Sequence, residues 1–179
     1  LEFRRVLFRS EVKSADKLLR RLKTEFPEYS IVVSTITPTG QQLAKENRAA
    51  IDHAFYFPID LPKPIRRALD RLRPELVIVM ETEIWPNFVR ICRERAIPVF
   101  MVNGRISDKS FPNYQRIARW IAPVLNQYEA LGAQSDTDAR RLIALGADSQ
   151  RVHVFGNLKF DVAASAKPVA RSEEPPSEL

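Results

Sequence analysis

Hydrophobic residues at helical spacing and short apolar runs alternate along most of the chain. From Glu11 onward, Val12, Ala15, Leu18, Leu19, Leu22 and Phe26 share one helical face until Pro27 ends the run, which predicts an amphipathic helix of about four turns. Ile31, Val32 and Val33 are consecutive and β-branched, as in a buried strand. Thr37 then offers a helix cap with Pro38 at the first helical position, and this helix runs to about Arg48. The same alternation predicts strands over 53–57, 76–80, 98–102, 130–133 and 152–155, with helices over 62–73, 88–95, 113–125 and 136–145 between them. The 76–80 run, Leu-Val-Ile-Val-Met, is apolar throughout, as expected of a parallel strand covered on both faces. The expected fold class is therefore α/β, a doubly wound parallel sheet of Rossmann type. No glycine-rich dinucleotide fingerprint occurs, which argues against a nicotinamide or flavin enzyme.

In such sheets ligands gather beyond the carboxyl ends of the strands. The residues directly after each apolar run are polar: Ser34 to Gly40, Glu81-Thr82-Glu83, Asn103-Gly104-Arg105, Gln134-Ser135 and Gly156-Asn157-Leu158-Lys159. All should line one rim. Glu81 and Glu83 could serve as acid, base or cation stabiliser, or equally as helix N-terminal acids favoured by the macrodipole. Arg105 could hold a phosphate or carboxylate bidentately, or form a surface ion pair. Lys159 is a similar cation, with a pairing to Asp161 as its plainer role. Thr35, Thr37 and Thr39 with Gly40 could bind a hydroxyl or phosphate, although capping alone accounts for Thr37. Trp85 reads as core packing before sugar stacking. His53 and His153 have no ligand partners at metal spacing, and neither is expected to bind a metal.

Composition narrows the setting. Cys92 is the only cysteine, so no internal disulfide can form and a reducing, cytoplasmic compartment is expected. No run approaches the ~18 consecutive apolar residues of a membrane span. The net charge of +6, from 28 basic and 22 acidic residues, raises nucleic acid or an anionic membrane as partners. The densest basic runs, 13–23 and 66–73, fall on the polar sides of amphipathic helices, where a solvated face is the simpler reading. No P-loop, Gly-x-Ser-x-Gly or zinc-finger spacing is present.

The string Met80-Glu81-Thr82-Glu83-Ile84-Trp85-Pro86-Asn87 is followed at short intervals by Val102-Asn103-Gly104-Arg105-Ile106-Ser107, Ala133-Gln134-Ser135 and Gly156-Asn157-Leu158-Lys159-Phe160-Asp161. Together with Thr35-Ile36-Thr37-Pro38-Thr39-Gly40, this series closely resembles the N-terminal domain of 3-deoxy-D-manno-octulosonic acid (Kdo) transferases over about residues 11–161. The resemblance implies an inverting, metal-free glycosyltransferase of the two-domain GT-B architecture, with no cofactor. It would move Kdo from CMP-Kdo to the lipid A precursor at the cytoplasmic face of the inner membrane in Gram-negative bacteria. The family's catalytic glutamate lies in a Ser-Val-Gly-Glu-Val-like segment after the first strand. It corresponds to Glu11, with Ser10 standing in place of the glycine. Glu11 would be the proton acceptor, and Glu81 and Lys159 the transition-state stabilisers. Thr37, Gly40, Glu83, Arg105 and Ser107 would line the substrate rim. An anionic membrane surface becomes an expected partner of Arg66, Arg67 and Arg71 or the first helix's lysines, and no nucleic acid is expected.

Residues 1–10 resemble translated adapter sequence more than a neighbouring element, so 11–165 is expected to be the acceptor-side domain with its own first strand missing. Val6-Leu7-Phe8 could imitate that strand. Residues 166–179 are expected to be a disordered tail, partly foreign. The nucleotide-binding C-terminal domain is expected to be absent and the chain alone inactive. Rival readings are another GT-B glycosyltransferase or sugar epimerase, and a basic non-enzymatic binding module.

Overall fold

A computed structural model describes residues 4–8 and 12–156, with side chains from Ala15 to Gly156. The chain runs β1 (Arg4–Phe8), α1 (Val12–Glu25), β2 (Ser30–Thr35), α2 (Pro38–Glu46), β3 (His53–Tyr56), α3 (Pro62–Leu72) and β4 (Pro74–Met80). It continues as α4 (Pro86–Glu94), β5 (Val99–Gly104), α5 (Phe111–Arg116), α6 (Ala118–Leu125), β6 (Ala130–Ala133), α7 (Asp136–Ala144), a 3-10 turn (Ser149–Arg151) and β7 (Val152–Val154).

The strands form one sheet in the order β3-β2-β1-β4-β5-β6-β7. Every pairing is parallel, so all carboxyl ends lie on one edge. The position expected to lack its own strand is occupied by residues 4–8, which pair with β2 on one side and β4 on the other. The strand order reverses between β1 and β4, the topological switch point at which open α/β sheets bind ligands.

Parallel strands need crossovers, and right-handed crossovers put the helices of the two half-sheets on opposite faces. The core divides accordingly. Ala15, Leu19, Ile31, Val33, Ala44, Ile51, Ile78 and Met80 pack on the α1–α2 face. Val77 and Val79, with opposite pleat orientation, join Ile65, Leu69, Phe88, Ile91, Leu125, Tyr128, Leu131 and Leu142 on the other face. The continuous apolar run in β4 is thus explained by burial on both sides.

Helix starts follow local chemistry. Pro38, Pro62 and Pro86 each open a helix, where the missing N–H costs nothing. Gly146, at φ +94°, ends α7, and a Cβ there would sit 2.5 Å from that of Ala122. The helix expected over 113–125 is instead two, broken at Ile117. Ile117 N donates to Tyr114 O and Trp120 N to Ile117 O, three-residue bonds that tighten the chain out of α geometry.

Candidate active site

The carboxyl ends of β2, β4, β5 and β6 bring most of the polar strand-end residues to one rim. Glu11 and Lys159 lie outside the described residues, so the geometry concerns the others.

Glu81 follows the last residue of β4 and adopts a left-handed backbone at φ +60°. Asn103, near the end of the adjacent β5, does the same at φ +56°. Non-glycine residues enter this region at a cost, and they do so chiefly where surrounding contacts over-determine them and where a side chain must be aimed. The contacts are present. Glu81 N donates to Val102 O at 2.8 Å, Gln134 Nε2 to Asn103 Oδ1 at 3.3 Å, and Gln134 N to Gly104 O at 2.8 Å. Between the two turns, the Thr82 hydroxyl accepts from Arg105 N at 2.8 Å and donates to Arg105 O at 2.5 Å.

Glu83 is held at both ends. Its carboxylate accepts from Trp85 Nε1 at 3.2 Å, and its carbonyl from the Tyr128 hydroxyl at 3.4 Å. Trp85 packs on Phe57, ring centroids 4.8 Å apart, and Phe57 on Phe88 at 5.4 Å, so Trp85 is core packing and not a stacking platform. Tyr128 is fully buried; burial, reinforced by Cys92, Glu83 and Asp60, pushes its phenol pKa up and keeps it neutral. Burial likewise pushes the Cys92 thiol to about 12 against the opposing pull of Arg95, which leaves it inert as a nucleophile.

The role of helix N-terminal acid, open to Glu81 and Glu83 from the sequence, belongs to another residue. Asp60, in the β3–α3 loop, accepts from Phe88 N at 2.8 Å and Asn87 N at 3.1 Å, and so caps α4.

Arg105 has a fixed backbone and an exposed side chain with no ion-pair partner among the described residues. The salt bridge of this loop is made instead by Arg141 and Asp108. Asp138, buried in the first turn of α7, accepts from Ile106 N at 2.8 Å and from the Ser135 hydroxyl at 2.5 Å, and Arg141 donates to Ile106 O. The loop that carries Arg105 is therefore tied to β4 on one side and α7 on the other. Ser107 is less free than expected: its hydroxyl bonds that of Ser110 at 2.8 Å and accepts from Ser110 N at 3.1 Å.

Across the switch point, Thr37 caps α2 by accepting from Gly40 N at 3.1 Å. A Cβ on Gly40 would meet Thr37 Oγ1 at 3.0 Å and Thr35 Cβ at 3.3 Å, so a side chain here would crowd the capping hydroxyl. Thr35 donates to Gln41 Oε1 at 2.9 Å. β2 and β4 flank β1, which at the usual strand spacing puts the start of α2 about 10 Å from the Glu81 turn.

Among the described residues, no group of three His, Cys, Asp or Glu side chains is placed to hold a metal, and no helix is long and apolar enough to cross a membrane. Several cations of the basic runs are paired. Arg20 pairs with Asp16, Arg21 with Glu25, Lys23 with Asp52, and Arg66 with Glu94. Lys63, Arg67 and Arg71 line a shallow groove of about 410 Å³ with Pro58, Pro64 and Ala68.

The residues that anchor this rim but escape sequence reading are Thr82, Asp60, Asp138 and Arg141. Only Asp138 carried a local signal, Ser135 three positions before it at capping spacing. The partners of Thr82 and Asp60 are more than twenty residues away in the chain.

Comparison with known proteins bears on the family and the fold. The chain is 34% identical to the 3-deoxy-D-manno-octulosonic acid transferase of Haemophilus influenzae over 152 residues, which covers 85% of this chain and 36% of that protein. It is 36% identical over 161 residues to the Bordetella pertussis protein of the same description, covering 86% of this chain and again 36% of the relative. The chain thus spans about a third of the length of these relatives. By structure it resembles the UDP-GlcNAc 2-epimerase of Neisseria meningitidis bound to UDP-GlcNAc, with TM-score 0.59 and 12% identity over 92% of this chain and 49% of that one. At that identity the likeness shows the fold, the Rossmann-like half of a GT-B architecture. Residues 10–162 match the family described as 3-Deoxy-D-manno-octulosonic-acid transferase (kdotransferase), and the chain belongs to that family.

Proposed function

We propose that this chain is the acceptor-side domain of an inverting glycosyltransferase that moves Kdo from CMP-Kdo to the lipid A precursor in lipopolysaccharide biosynthesis. The observation that carries the reading is Glu81, held in a left-handed turn at the carboxyl end of β4, beside the switch point and within the Met80–Asn87 motif. An acceptor hydroxyl attacks the anomeric carbon and gives its proton to the Glu11 carboxylate. The bond from that carbon to the CMP phosphate oxygen breaks, and CMP leaves with the electron pair. Positive charge develops on the sugar in between, and a fixed carboxylate at Glu81 stabilises it without reorganisation. Lys159 supplies an ammonium for the anionic group of the donor sugar or the leaving phosphate. Arg105, with its open guanidinium, and the turn from Thr37 to Gly40 line the substrate rim on either side, with Glu83 and Ser107 buttressing it. The reaction uses no metal or other cofactor.

The acceptor carries phosphates and sits in an anionic membrane, so Lys63, Arg67 and Arg71 face a suitable partner at the cytoplasmic surface of the inner membrane. Arg66 is already engaged by Glu94. The second, nucleotide-binding domain of a GT-B enzyme is the remaining partner.

The test is Kdo transfer by the full-length parent enzyme. Glu11→Gln and Glu81→Gln are each expected to lower kcat by at least about a hundred-fold, the scale set by loss of one preorganised transition-state contact. Arg67→Glu with Arg71→Glu should raise KM for acceptor in anionic vesicles and leave it unchanged in neutral detergent micelles. Wild-type turnover by either glutamine variant would sink the catalytic assignment.

A further inference from the structure

We propose that Thr82 is a positioning residue, whose hydroxyl fixes the Glu81 turn and the Arg105 turn relative to each other; this rests on the reading of Glu81 as a transition-state group.

β4 and β5 are adjacent, and their paired register ends at Met80 and Val102. Beyond it the ladder cannot continue, because both chains swing into left-handed turns, at Glu81 and at Asn103. The Glu81 N to Val102 O bond is the last backbone link. One residue further, a side chain takes over: the Thr82 hydroxyl accepts from Arg105 N and donates to Arg105 O, answering both backbone groups of that residue with one atom. A hydroxyl donates and accepts from a single atom, as this contact needs. Valine has the same shape and neither capacity, whereas serine keeps both.

The far side of the same loop is fixed independently, by Asp138 on Ile106 N and Arg141 on Ile106 O. Arg105 is thus clamped along its backbone, while its side chain is exposed and has no ion-pair partner among the described residues. Loss of the Thr82 staple would leave the β4 turn tied to β5 only through the Glu81 N to Val102 O bond, with the α7 anchor intact. The carboxylate and the guanidinium would then no longer share one frame, and misplacement of a catalytic group on the order of 1 Å costs about a hundred-fold in rate.

The experiment compares Thr82→Val, Thr82→Ser, Arg105→Gln and the Thr82→Val/Arg105→Gln double variant in the full-length transferase. Thr82→Val is expected to lower kcat/KM by about a hundred-fold. Thr82→Ser should restore most of that loss, with thermal midpoints of the two variants matched. In the Arg105→Gln background, Thr82→Val should cost less than it does alone, because the backbone staple, which glutamine leaves in place, then has no guanidinium to hold in register with Glu81. Wild-type kinetics in Thr82→Val, a full additive loss in the double variant, or a lowered midpoint with unchanged kcat and KM would each overturn the role. Glu81→Gln separates the levels. If it turns over like wild type, both the reading of Glu81 and the role of Thr82 fail. If it is inactive while Thr82→Val is normal, the role of Thr82 alone fails.

Discussion

The two sides of the switch point are held together differently. On the β4–β6 side, contacts reach between elements: Thr82 to Arg105, Gln134 to Asn103, Asp138 to Ile106, and Asp60 to the start of α4. On the β2–β3 side the side-chain contacts stay within the β2–α2 turn, Thr37 to Gly40 and Thr35 to Gln41, and a backbone bond, Phe57 N to Thr35 O, reaches the end of β3. The first arrangement fixes charged groups before any substrate arrives, which is what electrostatic stabilisation of a transition state needs. The second sets a single helix start and leaves its neighbours to adjust.

Unfolding measurements can break that contrast. Asp138→Ala, which orphans a buried amide and the Ser135 hydroxyl, should lower stability by about 2–3 kcal/mol, read as a lower urea midpoint at unchanged slope. Thr37→Ala removes one cap and should cost about 1 kcal/mol in the same assay. Equal losses at the two positions would erase the distinction between a cross-linked and a local rim.

The smallest expected effect is in the pH dependence, away from both rims. Asp52 accepts from Lys23 and from Ile31 N. Burial works to raise its pKa, but those bonds and the charges of Lys23 and His53 outweigh it and hold the carboxyl below the ordinary 3.8. A lowered folded-state pKa gives stability that is complete above the unfolded value and lost as pH falls through the folded one. Acid titration from pH 5 downward should therefore destabilise the wild type more than Asp52→Asn. The difference should be about 1 kcal/mol or less, since the pair is partly solvated. Parallel acid limbs for the two proteins would remove Asp52 from the account.

Much of the sheet was legible because its signals are local. Pro38, Pro62 and Pro86 mark helix starts through their own backbone chemistry, and the unbroken run before Glu81 announces a strand buried on both faces. The candidate rim followed from one rule, that polar residues after parallel strands share an edge. What stayed hidden depends on distance in the chain. Nothing around Thr82 says that its hydroxyl meets Arg105, and nothing around Asp60 says that it caps α4 in place of the glutamates. The break at Ile117 was hidden for a subtler reason, since i to i+3 bonds preserve nearly the same hydrophobic spacing as a continuous helix. Glu11 came from resemblance alone and Lys159 first from its place after the last apolar run; both lie outside the described residues.

The placement of β1 also bears on how the sheet is assembled in time. Its pairing with β4 joins Arg5 to Leu76, roughly seventy residues apart, whereas neighbouring ladders join partners such as Arg5 with Ile31 and Val77 with Val99. Closing so long a loop carries the largest entropic barrier among these ladders, so each half-sheet can zip from near contacts before the two are joined. The seam that this topology leaves for last is the crevice beside Glu81, so completion of the fold and formation of the site are expected to coincide.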